Sequence, residues 1–216
     1  MFKGPFDESI IKKAREKNLI DIKFIDLRNF GIGNHKSVDD TPYGGGVGMI
    51  LRVDVLKAAI DSAIDPSLAK NKQKVVLLSA AGRRFDQKKA KQYSQLSRLV
   101  LICGHYEGVD YRVRKFVDEE VCLGDFVLTG GEIAAMALTD AVSRLVKGVL
   151  KDDATSIESF SKGLLEHPQY TKPSSYDRLR VPKILLLGDH KKIRKWREKQ
   201  SAANTKKMRP DLLKRI

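Results

Sequence analysis

Apolar and polar residues alternate along the chain with two different periods, which predict helices and strands in turn. Apolar positions three or four residues apart predict four helices, over residues 6–17, 52–64, 87–96 and 133–146. Strict alternation or short apolar runs predict four strands, over residues 21–27, 74–79, 99–102 and 120–123. The run KVVLLS at 74–79 is typical of a strand covered on both faces. Helix and strand follow each other repeatedly, which indicates an α/β fold with a largely parallel sheet.

The last third of the sequence has a different pattern. Residues 151–161 (KDDATSIESFS) have no apolar period and are rich in Asp, Ser and Thr, which predicts a flexible linker. Asp189 is a good N-cap for a basic helix from residue 190 to about residue 200, and a short helix is predicted over residues 210–213. We therefore predict a first domain over residues 1–150, the linker over 151–161, and a small, basic, helical domain over 162–216.

Glycine follows the predicted buried strands abruptly. The strand over 99–102 runs into CGHYEGVDY (103–111), the strand over 120–123 into GDFVLTGGE (124–132), and the strand over 74–79 into small residues up to Gly82. Ligands of open α/β sheets bind where adjacent strands end, because the loops there expose main-chain groups that no ladder uses. Gly124, Gly130 and Gly131 allow the backbone to pass close to a flat ligand. The loops at 103–111 and 124–132 therefore predict one cofactor pocket.

A further glycine-rich run, TPYGGGVG at residues 41–48, matches no nucleotide-binding fingerprint. It lacks the GK[ST] of a phosphate-binding loop, and it follows a polar loop instead of a strand. It predicts a mobile loop that precedes a helix. A lid that folds over a bound substrate is the alternative interpretation.

Charge is distributed unevenly along the 216 residues. The net charge is +14, and residues 191–216 hold eleven Lys or Arg against only Glu198 and Asp211, so nine of these charges lie at the C-terminal end. Such a segment is typical of a protein that binds a polyanion, although a solvated basic tail explains it equally well. No apolar run reaches ~18 residues and no signal-peptide core is present, so we expect a cytoplasmic protein.

Cysteine and histidine limit the chemistry further. Cys103 and Cys122 both lie at the ends of predicted buried strands, which predicts reduced, packed thiols in preference to a disulfide. The four histidines lack metal-ligand spacing, so no metal site is predicted. The sequence also lacks the glycine fingerprint of the common S-adenosylmethionine-binding fold.

Seven segments in order resemble the bacterial tRNA (guanine-N1)-methyltransferases, the TrmD family of the SPOUT class. They are YGGGVGM (43–49), LSAAGRRFDQ (78–87), LICGHYEGVDYRV (101–113), GDFVLTGGE (124–132), DAVSRLVKGVL (140–150), SFSKGLLEHPQYTKP (159–173) and HKKIRKWREKQS (190–201). Because they run over nearly the whole chain in one order, the resemblance is far more specific than any single glycine pattern.

The resemblance implies a trefoil-knotted α/β domain, a helical C-terminal domain, and an obligate homodimer with active sites across its interface. In this family S-adenosylmethionine lies bent in the knot, held by main-chain groups of three loops. Carried onto this sequence, the cofactor-binding residues are Leu78, Ser79, Ala80, Gly104, Tyr106, Leu123, Gly124, Asp125, Phe126, Val127, Leu128, Gly130 and Gly131. The reaction implied is methyl transfer to N1 of the guanosine at tRNA position 37, immediately 3′ to the anticodon.

The resemblance also implies roles for three side chains. Guanine N1 carries a proton that a general base must remove, and the family's base position is occupied here by Glu158, with Asp152 or Asp153 as alternatives. Arg144 matches the arginine that stabilises the charge developing on O6. Glu107 contacts the guanine edge or organises its loop. The basic segment would bind the tRNA backbone through Lys191, Lys192, Arg194, Lys195 and Arg197.

The sequence differs from the family pattern in three places. Glu158 stands at the base position, where the family often has aspartate. His105 stands where several relatives have arginine, which would make the charge near the pocket pH-sensitive. Relatives begin with a further strand and an FPxMF-like segment before the first helix, whereas this sequence starts near the end of that segment. Either the start codon is misassigned or a strand is missing, and loss of a sheet strand would reduce stability and disturb the packing of the knot. The family also implies a dependence on magnesium, although no compact carboxylate cluster in the sequence provides ligands for it.

Two other functions fit part of this pattern. A SPOUT methyltransferase that acts on a ribose 2′-OH would have the same pocket, and its activity would survive replacement of the target guanine. An RNA-binding protein with a vestigial pocket would explain the positive charge, and it would bind tRNA without binding S-adenosylmethionine.

Overall fold

The computed structural model describes residues 1–2, 4–151, 154–155, 158–161 and 163–214. These residues form two compact units, Met1–Leu150 and Lys151–Ile216. Within the described part of the chain, no helix combines the length and the apolar character that a membrane span requires.

The first unit is built around a three-stranded parallel sheet. In the part of the first unit that the structure describes, the strands are Asp39–Asp40 (β1), Ile50–Leu51 (β2), Gln73–Arg84 (β3), Arg98–Cys103 (β4) and Glu119–Cys122 (β5). The central strand β3 pairs in parallel with β4 on one side and with β5 on the other, while β1 and β2 form a separate antiparallel pair. The predicted α/β class with a parallel sheet is therefore confirmed.

Helices cover both faces of the sheet. The helices of the first unit are Ser9–Glu16 (α1), Val53–Ala63 (α2), Gln87–Tyr93 (α3) and Gly131–Ser143 (α4), with 3-10 helices at Leu27–Phe30, Lys70–Lys72 and Tyr111–Phe116. Alternate side chains of β3 enter different cores: Val76 and Leu78 pack with residues of α3 and α4, and Val75 and Leu77 pack with residues of α2. The unbroken apolar run thus forms a strand that is buried on both faces, as predicted.

The strand β3 continues beyond the predicted boundary at residue 79. It reaches Arg84 with a register shift against β5 between Leu78 and Arg83. A Cβ at Gly82 would lie only 2.3 Å from the backbone nitrogen of Val121, so a residue without a side chain is required at this approach. The prediction that small residues 79–82 end the strand was wrong, because they instead form an irregular stretch within it.

The strand predicted over residues 21–27 does not form. Residues 21–26 make no ladder, and a 3-10 helix begins at Leu27, where the side chain of Asp26 accepts a hydrogen bond from the backbone of Arg28. The alternating pattern has another cause: the ring of Phe24 stacks on Phe2, with the two centroids 4.8 Å apart. Alternation alone could not distinguish a paired strand from an extended segment that packs through its side chains.

The described part of the second unit contains two helices, a small hairpin and a 3-10 helix. The elements are Ser175–Tyr176 (β6), Leu179–Arg180 (β7), the 3-10 helix Lys183–Leu186, His190–Met208 (α5) and Pro210–Leu213 (α6). The side chain of Asp189 caps α5, as predicted, but α5 continues to Met208 instead of ending near residue 200. Thr205 is fully buried and links α5 to the preceding segment, since its hydroxyl accepts a 2.9 Å hydrogen bond from the backbone of Leu165.

Candidate active site

The strands β4 and β5 end at the same level of the sheet, on either side of β3. Leu78 in β3 lies in register with Cys103, the last residue of β4, and with Val121 in β5, so the loops that follow β4 and β5 begin at the same level, along one edge of the sheet. The two loops pair directly: His105 and Gly130 form an antiparallel bridge, and the N–H of Gly131 donates a 2.7 Å hydrogen bond to the carbonyl of Gly104. The structure therefore brings together the two loops from which the sequence predicts one pocket.

The backbone approach at this edge depends on Gly131. A Cβ at this position would lie 2.7 Å from the Cα of Cys103 and 2.8 Å from the nitrogen of Gly104. Backbone atoms cannot move aside as a flexible side chain can, so any larger residue would push the loops apart. By contrast, a Cβ at Gly104 would meet no atom closer than 3.7 Å.

The loop after β5 exposes main-chain groups that are available to a ligand. Its N–H groups at Val127 and Leu128 have no hydrogen-bond partner among the described residues. The side chains of Phe126 and Val127 are 57% and 92% exposed. Unused main-chain donors beside apolar surface suit a flat, partly polar ligand.

The remaining predicted cofactor residues lie in β3 near Leu78 or in the loops that follow β4 and β5. Leu78 is buried at the end of the regular pairing of β3, Ser79 is half-buried and Ala80 is exposed. Tyr106 has a positive φ of 56° and a half-exposed ring. The other predicted residues are Leu123, Gly124, Asp125 and Leu128, which lie in the loop after β5.

The glycine-rich run at 41–48 is connected to this edge through Glu107. The N–H of Glu107 donates a 3.0 Å hydrogen bond to the carbonyl of Met49. Gly48 has a φ of +87°, and a Cβ there would lie 2.4 Å from the Cγ of Glu107. The run itself is open to solvent, with Tyr43 99% exposed. Sequence reasoning treated the run separately from the pocket loops, because the contact joins segments almost 60 residues apart.

A compact group of polar side chains lies behind the pairing of the two loops. His105 Nδ1 is 3.7 Å from Glu132 Oε1, and His105 Nδ1 and Glu132 Oε2 are buried without a hydrogen-bond partner in the described structure. Burial, together with the carboxylate of Glu132, raises the pKa of Cys103 to about 12. Cys103 and Cys122 are both free thiols in this structure. The sequence analysis did not predict that Glu132 lies close to His105, because the two residues belong to different segments of the chain.

The predicted catalytic side chains lie in different units. Arg144 is the half-buried C-cap of α4, and its N–H donates to the carbonyl of Asp140. Glu107 is exposed, and Glu158 is half-buried in a turn where its carbonyl accepts a 2.6 Å hydrogen bond from the hydroxyl of Ser161. The alternative bases, Asp152 and Asp153, lie outside the described residues.

The predicted RNA-binding residues lie on one helix and are all exposed to solvent. They are the α5 residues Lys191, Lys192, Arg194, Lys195 and Arg197. Lys192 differs from the others because its ammonium group is 3.1 Å from the carboxylate of Asp189. No group of three or more His, Cys, Asp or Glu side chains suited to a metal ion occurs among the residues that the structure describes.

Comparison with known proteins places these features in one family. The family model for tRNA (Guanine-1)-methyltransferase TrmD matches residues 1–215. A tRNA (guanine-N(1)-)-methyltransferase of Carboxydothermus hydrogenoformans is 51% identical over 99% of this chain and 83% of its own length. The protein of the same name from Dictyoglomus turgidum is 50% identical over 100% of this chain and 86% of its own length. The chain therefore belongs to the tRNA (guanine-1)-methyltransferase TrmD family.

Proposed function

We propose that this chain transfers a methyl group from S-adenosylmethionine to N1 of the guanosine at tRNA position 37. The observation that carries the proposal is the meeting of the loops after β4 and β5, where main-chain donors and apolar surface are available beside a backbone crossing that only glycine allows. This edge occurs in a chain of the tRNA (guanine-1)-methyltransferase TrmD family.

The donor would be held mainly by main-chain groups. The N–H groups of Val127 and Leu128 are available for the polar edge of the adenine base, and the apolar surface beside them suits its faces. A trefoil knot would account for the backbone crossings at Gly82 and Gly131, because a threaded chain must pass close to other backbone segments. We therefore propose that the pocket lies in a SPOUT-type knot.

The chemistry requires a base and a cationic group. S-adenosylmethionine supplies a methyl group bonded to a positively charged sulfur. As guanine N1 bonds to this methyl and the carbon–sulfur bond breaks, the carboxylate of Glu158 takes the N1 proton. The guanidinium of Arg144 stabilises the negative charge that develops on O6 when the proton leaves. Glu107 would contact the guanine edge or fix its own loop against Gly48.

We propose that the active form is a homodimer with its sites across the interface. Ile133, at the start of α4 beside the pocket loops, is an exposed apolar residue, and a second copy of the chain would cover it. The basic helix α5 would position the anticodon arm through phosphate contacts while the target base is turned out of its stack. Such an enzyme would act in the cytoplasm, where tRNA is modified.

The test is methyl incorporation from labelled S-adenosylmethionine into two tRNA transcripts, one with guanosine and one with adenosine at position 37. We expect incorporation only into the first transcript, because adenine has an amino group in place of the O6 carbonyl that Arg144 would stabilise. Equal incorporation into both would indicate a ribose 2′-OH acceptor. tRNA binding without incorporation or cofactor binding would indicate an RNA-binding protein. The assay is run with and without magnesium, which tests the metal dependence that the family resemblance implies.

A further inference from the structure

The second unit contains a cleft of about 310 Å³ that the proposed reaction does not use. Its walls come from four places: the segment 167–174, the base of the β6–β7 hairpin, the 3-10 helix Lys183–Leu186, and one face of α5. The apolar part of the lining includes Leu185, Leu186 and Ile193, and the polar part includes Arg197. Tyr170 also lines the cleft, with its side chain half exposed.

The cleft is fixed by local hydrogen bonds. The N–H of Val181 donates a 3.0 Å bond to the carbonyl of Ser174, which closes the base of the hairpin. Ile193 and Arg197 are four residues apart on α5, so both face the cleft from consecutive turns. The N-cap at Asp189 determines where α5 begins and hence where these two residues lie.

The lining is suited to a flat ligand with apolar faces and a polar, negatively charged side. The volume is at the lower end of the ~300–1,000 Å³ typical of small-ligand sites. Leu185, Leu186 and Ile193 provide apolar contact, and His167 and Gln169 provide hydrogen-bonding groups at the same cleft. Arg197 makes no ion pair or hydrogen bond within the described chain, so its guanidinium is available for a phosphate.

An unpaired nucleotide has these properties. Proteins bind single-stranded RNA by stacking bases on aromatic or guanidinium planes and by contacting the adjacent phosphates. Tyr170 and Arg197 provide such planes, and Lys172 adds a second positive charge to the lining. An apolar peptide would use the leucine wall, but it would leave these two cations without a counterpart.

We propose that this cleft binds one unpaired nucleotide of the tRNA, distinct from the guanosine that is methylated. The inference rests on the proposed function, because it takes tRNA as the substrate. The proposal also gives two arginines of the same helix different roles. Arg197 lines the cleft and would contact the bound base, whereas Arg194 does not line it and would contact only phosphate.

The test is a set of anticodon stem-loop RNAs, each with a single abasic nucleotide in the loop. Their affinities for the full chain are measured for the wild type, Arg197→Gln and Arg194→Gln, two variants that remove the same charge from the same helix. We expect one loop position, other than the methylated guanosine, where base removal weakens wild-type binding about tenfold. At that position, removal of the base should hardly change the affinity of Arg197→Gln, and it should weaken the affinity of Arg194→Gln as much as that of the wild type.

Trp196 provides an independent signal, because it is the only tryptophan in the sequence and its ring centroid is 6.4 Å from that of Tyr170. Its fluorescence should change when the intact stem-loop binds, and less so with the abasic RNA at the sensitive position. Far-UV circular dichroism of each variant checks that α5 is intact. If every abasic position weakens the wild type and both variants equally, the cleft binds no base.

The two proposals fail in different ways. If no abasic position selectively weakens wild-type binding while guanosine methylation is normal, only the proposal for the cleft is overturned. A base-sensitive cleft in a protein that methylates no tRNA would overturn only the proposed reaction.

Discussion

The helices α4 and α5 are the longest of their respective units, and their surroundings differ. Five residues of α4 are buried, and they are Ala134, Ala135, Leu138, Val142 and Ser143. In α5, which has 19 residues, Thr205 is the buried residue. The helix α4 packs into a shared apolar core, whereas α5 exposes most of its side chains, many of them basic, to solvent.

This difference separates two ways of making a site. In the first unit, backbone segments are held close enough together that a single Cβ at Gly131 would collide with main-chain atoms. In the second unit, the groups proposed to contact RNA are exposed side chains such as Arg194 and Arg197, which can be replaced without disturbing a core. The first unit should therefore be sensitive to added volume, and the second to removed charge.

Glu158→Gln should have the largest effect on methyl transfer. It would show that the second unit contributes to the chemistry as well as to charge-based RNA binding. We expect the rate of methyl transfer to fall by roughly 10²–10⁴, since glutamine cannot accept the N1 proton. Single-turnover rates at saturating tRNA measure the step. Glu166→Gln, in the same segment, is the control. An unchanged rate for Glu158→Gln would assign the base to another residue.

Arg144→Ala should lower the single-turnover rate by roughly 10²–10³ through loss of a donor at O6. Arg144→Lys keeps the charge but loses the planar, two-pronged donor, so it should recover only part of the rate. Arg144 also lies at the C-terminus of α4, where a cation stabilises the helix. Thermal unfolding of both variants separates this contribution from catalysis, and rate losses that follow the losses of stability would favour a structural role.

Gly131→Ala tests the sensitivity of the first unit to volume. The added methyl group would collide with the backbone of Cys103 and Gly104, and we expect a loss of about 1–3 kcal/mol in the free energy of unfolding. Gly104→Ala is the matched control, since its methyl group would meet no atom closer than 3.7 Å. Urea unfolding measures both. Equal stability of the two variants would show that the loops can move apart at little cost.

Acid should weaken the first unit through Glu119. Burial of this carboxylate opposes its ionisation, but hydrogen bonds from Lys89 and Lys74 outweigh that cost, so the pKa of Glu119 lies below its ordinary value. Its contribution, on the order of 1 kcal/mol, is present above the ordinary pKa of a glutamate. It is lost as pH falls through the lower pKa of the folded state. Urea unfolding between neutral and acidic pH should show a smaller change for Glu119→Gln than for the wild type.

Lys195→Gln should have the smallest effect and tests the sensitivity of the second unit to charge. Loss of one phosphate contact should weaken tRNA binding about threefold and reduce the slope of log affinity against log salt by about one. Lys192→Gln should change both less, because Lys192 already pairs with Asp189. Filter binding over a range of salt concentrations measures the slopes. A larger effect of Lys192→Gln would contradict the assignment.

Local patterns were sufficient for much of the fold. The buried run at 74–79, the helix predicted over 52–64 and the cap at Asp189 all form, the helix as Val53–Ala63, because each depends on side chains that are close in sequence. The strand predicted over 21–27 was wrong, because a strand needs a partner and alternation does not provide one. The end of β3 was also misplaced, since Gly82 continues the strand through an approach to Val121 from another part of the chain.

The sequence by itself determined the α/β class, the capped basic helix, the glycine-rich strand ends and, through seven ordered motifs, the family. These features are written in short stretches whose periodicity or order can be read directly. Only the tertiary structure decided that Gly131 lies against Cys103, that Glu107 packs on Gly48, and that Arg197, unlike Arg194, lines a cleft. Each of these contacts depends on how distant segments fold together, because the distance between two atoms is set by packing and not by their spacing along the chain.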